Sequence, residues 1–208
     1  MTAEAVLKAM LSRYSALKSY QDRGIVLRTW PDKAEPYEIS FTTFFRRPDL
    51  FRFDWISHHP YPPLRHLKTR HVIWSDGKDA LHYTIDKDSS KMKRKESLFM
   101  AVAGATGISM GSALTVFNML MPEYGARSFT ELRDIDLRTA VFEGIDCHCI
   151  RGRYAQGAQE DLRIGANDHL LRCVSSSRGE GAIAQEIRRE IRINEPINDD
   201  VFQFRPDQ

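Results

Sequence analysis

The chain predicts an α+β fold that is mostly β: one antiparallel sheet of about ten to eleven strands that curls, with a helix before it and apolar helices after its middle. Three observations support this. Apolar residues alternate with polar ones through most of the chain, turn residues break those runs at short intervals, and one uncharged stretch at 97–121 interrupts the alternation.

The elements follow in order. Val6, Leu7, Met10, Leu11, Tyr14 and Leu17 keep the i, i+3, i+4, i+7 spacing of a helix with one buried stripe, placed at about 3–19. After Tyr20 the period becomes two. Ile25, Leu27 and Thr29 come first; then Tyr37, Ile39, Phe41, Thr43 and Phe45 line one side of a strand, and Phe51, Phe53 and Trp55 alternate with Arg52 and Asp54 in the next. Further strands are read around Val72 to Trp74, Leu81 to Ile85, Ile135 to Val141, Ile145 to Ile150, Leu162 to Ile164, Leu171 to Val174, and Ile187 to Ile193. Arg47-Pro48-Asp49, Asp76-Gly77-Lys78, Ala155-Gln156-Gly157 and Asn167-Asp168 supply the turns. A proline-rich loop occupies 60–63.

The 97–121 stretch has the length of a membrane span, preceded by the basic cluster at 91–95, and Gly107-x-x-x-Gly111 could pack two such spans. Its glycines, hydroxyls and Asn118 favour two short helices instead, about 97–104 and 109–121, with Ser109 as N-cap and Pro122 as the stop. Such helices would cover the open mouth of a curled sheet.

At 208 residues the chain can bury a full core as one domain, 1–208, without disulfide or metal staples. Thirty Lys+Arg against 28 Asp+Glu gives +2, which argues against a nucleic-acid partner. The three cysteines are too few for a secreted disulfide framework. Cys147 and Cys149 share a strand face, and Cys173 falls two strands away, roughly 10 Å, beyond the reach of a disulfide. Free thiols are the expectation. The chain opens Met1-Thr2-Ala3-Glu4 straight into its helix, so the protein is either cytoplasmic or carries Met1 where a removed signal ended.

Little here promises catalysis. None of the seven histidines has zinc-ligand spacing, and His148 points away from its neighbours Cys147 and Cys149 on an extended strand. Gly104-x-x-Gly107-x-x-x-Gly111 lacks the Lys-Ser/Thr of a phosphate loop, and Ser109 and Ser112 have no nucleophile elbow or base. The expectation is a non-enzyme with no cofactor and no metal.

Arg47 is the residue that breaks the local pattern. It continues the dry side of its strand after Ile39, Phe41, Thr43 and Phe45, where a guanidinium needs acceptors for its donors. Two readings stay open: it turns out into water at the strand end, or it points inward and donates to the orphan carbonyls of a helix end, which the broken segment at 104–107 would supply.

Arg46-Arg47-Pro48-Asp49-Leu50-Phe51-Arg52-Phe53, then Trp74-Ser75-Asp76-Gly77-Lys78, then Val201-Phe202-Gln203-Phe204-Arg205-Pro206 resemble the periplasmic lipoprotein-carrier family, LolA, and its LolA-like relatives. The order of helix, strands, apolar helices and strand meander matches too, over most of the chain. The resemblance implies an incomplete antiparallel β-barrel wrapped around an apolar cavity and roofed by a helical lid that opens and closes. It implies a monomeric periplasmic carrier, moving lipoprotein acyl chains or another lipid unchanged, between an inner-membrane donor and an outer-membrane acceptor. The family's lid-binding arginine falls on Arg47. Phe41, Phe45, Phe51, Phe53 and Trp55 would line the wall, and Ile108, Leu114, Phe117 and Leu120 the lid. The loop at 60–63, the longer lid and the three cysteines set this chain apart from the carrier itself. The alternative is an envelope sensor or scaffold domain that uses the same fold to bind a protein or peptide.

Overall fold

The computed structural model describes residues 1–32, 35–58, 62–64, 66–87, 89–124, 129–178 and 181–203. It contains three α-helices, α1 (Ala3–Ser15), α2 (Leu98–Ala105) and α3 (Ser112–Leu120). The strands are β1 (Ser19–Thr29), β2 (Tyr37–Arg46), β3 (Leu50–His58), β4 (Lys68–Asp76), β5 (Ala80–Ile85), β6 (Ser90–Lys95), β7 (Arg133–Phe142), β8 (Ile145–Arg153), β9 (Gln159–Gly165), β10 (Leu171–Arg178) and β11 (Ala182–Ile193). They form one antiparallel sheet in the order β6-β5-β4-β3-β2-β1-β11-β10-β9-β8-β7, whose ends β6 and β7 do not join.

Chain contacts divide the molecule into two compact units. One comprises Met1–Ala16, Val26–Pro36 and Val116–Arg188; the other comprises Leu17–Ile25, Tyr37–Thr115 and Arg189–Gln208. In the first, Val6, Leu7, Met10 and Tyr14 of α1 are buried, and the Tyr14 hydroxyl accepts from the Leu171 amide of β10 at 3.2 Å. The expected stripe is therefore the packed one. The helix ends short of the expected residue 19 because the following segment finds partners elsewhere. The Lys18 amide donates to Asn194 Oδ1 at 2.8 Å, and the Ser19 carbonyl accepts from the Asn194 amide at 2.9 Å.

Two other boundaries moved. Ser97 caps α2 by accepting from the Met100 amide at 3.2 Å, but Ser109 does not cap α3. Met110 and Gly111 take positive φ values of 51° and 92°, and the Gly111 carbonyl accepts from the Thr115 amide. The left-handed turn, easy for glycine, thus resets the chain two residues later than expected. Among the described residues no helix is long and apolar enough to cross a membrane. In β1 the buried positions are Ser19, Tyr20, Asp22, Gly24 and Val26, with Ile25 and Leu27 half-buried on the other side. β6, Ser-Lys-Met-Lys-Arg-Lys, is a strand that its sequence alone read only as a basic cluster.

Candidate functional site

The site is built on one face of the second unit. Register across β2, β3, β4, β5 and β6 gives three rows on that face: Phe45, Phe51, Ser75, Ala80 and Lys95; Thr43, Phe53, Ile73, His82 and Lys93; Phe41, Trp55, His71, Thr84 and Lys91. Side chains directly opposite one another across a ladder are in contact range, so each row is a physical neighbourhood. Phe41, Phe45, Phe51, Phe53 and Trp55 are 0–3% exposed, which places all five expected wall residues together. The Phe41 and Phe53 rings stack at 5.3 Å, and Phe53 meets Trp55 at 5.6 Å.

Polarity changes along each row. Trp55 stacks on His71 at 4.8 Å and on His82 at 5.8 Å. Burial, with His82 adding to it, holds the His71 imidazole down to about 4. Burial also lowers His82, helped by the ammonium groups of Lys95 and Lys93. Both rings are therefore neutral near pH 7. Among the described residues of these rows there is no carboxylate. Among the described residues no three His, Cys, Asp or Glu gather as metal ligands.

Arg47 lies half-buried past the end of β2, its guanidinium 5.4 Å from the Phe45 ring centre. Its Nε donates to the Leu17 carbonyl at 3.1 Å, and its backbone amide donates to the Lys18 carbonyl at 2.9 Å. The guanidinium Nε and the backbone amide thus each take a backbone carbonyl of the segment that leads into β1.

The lid residues divide. Helix α2 packs against β4, β5 and β6, with Leu98, Ala101, Val102 and Ala105 buried. Ile108, in the turn that follows, is 44% exposed, and Leu114 is half-buried. Phe117 and Leu120 are fully buried in the first unit, where Phe117 meets Tyr124 at 5.3 Å.

The three sequence motifs meet in this unit. A Cβ on Gly77 (φ 86°) would sit 2.7 Å from Asp49 Oδ1, so the Asp-Gly hairpin between β4 and β5 must be glycine there to admit the loop after β2. Asp76 Oδ1 accepts from the Lys78 and Asp79 amides, closing that turn. Arg46 reaches the C-terminal segment through the Ile197 carbonyl at 3.2 Å, Asp199 at 2.6 Å and the Phe202 ring at 5.4 Å, and Arg52 through the Val201 carbonyl at 3.1 Å. Sequence reasoning had fixed on Arg47 and missed these two anchors. Their signal was arginine on the wet side of both strands. Phe204 and Pro206 lie outside the described residues.

In the first unit, register places Cys149 opposite Arg163 and Arg163 opposite Cys173, the expected two strand spacings, and all three cysteines are free. Burial raises each thiol.

No protein-family model matches the sequence, and no curated protein compared with it is close enough to count as a relative. Solved structures do match. LprF from Mycobacterium bovis aligns at TM-score 0.58 with 10% identity over 94% of both chains. An uncharacterized conserved protein from Thermus thermophilus aligns at 0.54 with 12% identity, over 100% of this chain and 96% of that one. The LolA superfamily protein NE2245 from Nitrosomonas europaea aligns at 0.39 with 10% identity over 98% of both chains. The chain shares its fold with LprF and the Thermus thermophilus protein. At such identities the likeness is one of fold.

Proposed function

We propose that this chain is a non-enzymatic periplasmic carrier. It would receive lipoprotein acyl chains, or another hydrophobic ligand, against the aromatic face of β2 and β3, taking cargo from an inner-membrane donor and passing it to an outer-membrane acceptor. The observation that carries the reading is the continuous apolar wall of Phe41, Phe45, Phe51, Phe53 and Trp55, in rows without a carboxylate among the described residues. The resemblance of its sequence to the LolA-like family supports it.

Each methylene moved from water onto such a wall contributes about 0.8 kcal/mol, so one long acyl chain needs no charged partner to be held. Because the wall is 0–3% exposed, a ligand enters by displacing what covers it. Closure and cargo then compete for one surface, and the strength of closure sets how readily cargo leaves. Within this unit Ile108 and Leu114 are the candidate lid, with Arg47 holding the closed state through backbone carbonyls.

The test is organic extraction and native mass spectrometry of protein purified from membrane-containing cells. Acyl species bound at about one per chain are expected. Protein that emerges lipid-free and fails to take up a hydrophobic dye would overturn the proposal.

A further inference from the structure

The same rows that begin in phenylalanine end in lysine. Lys91, Lys93 and Lys95 of β6 stand on the aromatic face beside Thr84, His82 and Ala80 of β5. Lys91 and Lys93 are exposed and Lys95 is half-buried. The Lys95 ammonium lies 3.9 Å from the position a Cβ would take on Gly104 of α2. Met92 and Arg94 face the other way. A strand with three cations on one face forgoes the apolar alternation that would bury it, and gains a row of positive charge at one side of a greasy wall.

Within the wall, and in His82 between it and the lysines, lie polar atoms without a partner. Trp55 Nε1, Thr43 Oγ1 and His82 Nε2 are buried without a hydrogen-bond partner, and Trp55 and Thr43 are 1% and 0% exposed. Native structures seldom leave buried donors unpaired, because each costs the full desolvation of the group. A ligand that brings acceptors to this surface removes that cost. Three strand spacings separate β3 from β6, about 14 Å, so chain, linking oxygens and charge would be met in sequence along a row.

We infer that the occupant of this face is an amphiphile with an anionic headgroup, its chain against Phe41, Phe51 and Phe53, its ester or amide oxygens at Trp55 and His82, and its charge on Lys91, Lys93 and Lys95. The inference rests on the carrier reading and names the ligand class for it. Two rim lysines favour an anionic over a zwitterionic headgroup by about tenfold.

The experiment loads the purified protein from vesicles of phosphatidylglycerol or phosphatidylcholine with identical acyl chains, and compares wild type with K91E/K93E, both on an exposed edge strand where folding is spared. Wild type should retain phosphatidylglycerol about tenfold better, and the double variant should lose or reverse that preference while binding a neutral hydrophobic dye as before. Equal retention of the two lipids, or a preference that survives charge reversal, overturns the inference and leaves the carrier reading standing. Uptake of neither lipid nor dye overturns both. Inorganic phosphate alone, at millimolar concentration, should not displace bound lipid; if it does, the lysines hold free phosphate and the amphiphile is the wrong occupant.

Discussion

The two units bury polar groups on sheet faces in opposite ways. In the first unit, register sets Gly152, Glu160, Ser176 and Ala184 in one row, and Ile150, Leu162, Val174 and Glu186 in the next. Glu160 there accepts from the Tyr154 hydroxyl at 3.2 Å and from Ser176 at 3.3 Å, while Arg188, 2% exposed, donates from Nε to Glu186 at 2.7 Å. In the second unit the buried polar atoms of Thr43, Trp55 and His82 have no partner. The first face pairs its buried charges with its own side chains and leaves only a ring nitrogen, His148 Nδ1, without a partner among the described residues of these rows. The second leaves two donors and a ring nitrogen in that state, which is the difference the carrier reading uses.

The largest effect should come from breaking the paired face. Arg188→Met leaves the buried Glu186 carboxylate facing an uncharged partner, and should cost about 3–5 kcal/mol of unfolding free energy by urea titration. A loss under about 1 kcal/mol would mean that the pair is hydrated and that this unit is not closed as argued.

Next comes the pH response of the second unit. His71 is held at about 4, below the ordinary imidazole value, so the unfolded chain takes up the proton first as pH falls. Stability contributed by the neutral ring is complete above about 6.5, drains away between there and about 4, and changes no further below. The full span is about 3 kcal/mol. His71→Gln should flatten that stretch of the stability profile; an unchanged slope would assign it to other groups.

A smaller pair of substitutions tests the contrast directly. Tyr154→Phe removes a hydroxyl that a buried carboxylate uses, and should cost about 1–3 kcal/mol. Thr43→Val removes a hydroxyl that nothing uses, and should be neutral or stabilising by up to about 1 kcal/mol, since the desolvated group disappears. Equal losses at both positions would erase the distinction between the faces.

How much of this was readable in advance follows from what each feature depends on. Alternation alone exposed β2 and β3, because Phe41, Phe45, Phe51 and Phe53 repeat with period two against Arg and Asp. β6 escaped because a strand at one end of the sheet order needs no apolar alternation, and lysines are what an edge tolerates. The histidine stack escaped for a different reason: His71 and His82 meet Trp55 only through the register of three strands, which no local pattern specifies. The end of α1 depended on Asn194, far away in the chain. Arg47 was legible as a rule-breaker, but which carbonyl it would reach was not.

Arg47 also offers the gentlest test. Arg47→Leu removes, among the guanidinium's contacts, the hydrogen bond from Nε to the Leu17 carbonyl, which contributes about 1 kcal/mol of stability. Its consequence for cargo should be easier to see. If the guanidinium helps hold the closed state, leucine weakens closure without touching the wall, and closure is what competes with ligand. A bound hydrophobic dye should therefore leave the variant more slowly than wild type, measured by displacement with excess lipid. Were the arginine only a clasp between β2 and the segment before β1, the dye would leave at the wild-type rate or faster, because a looser strand end can only open the face it borders.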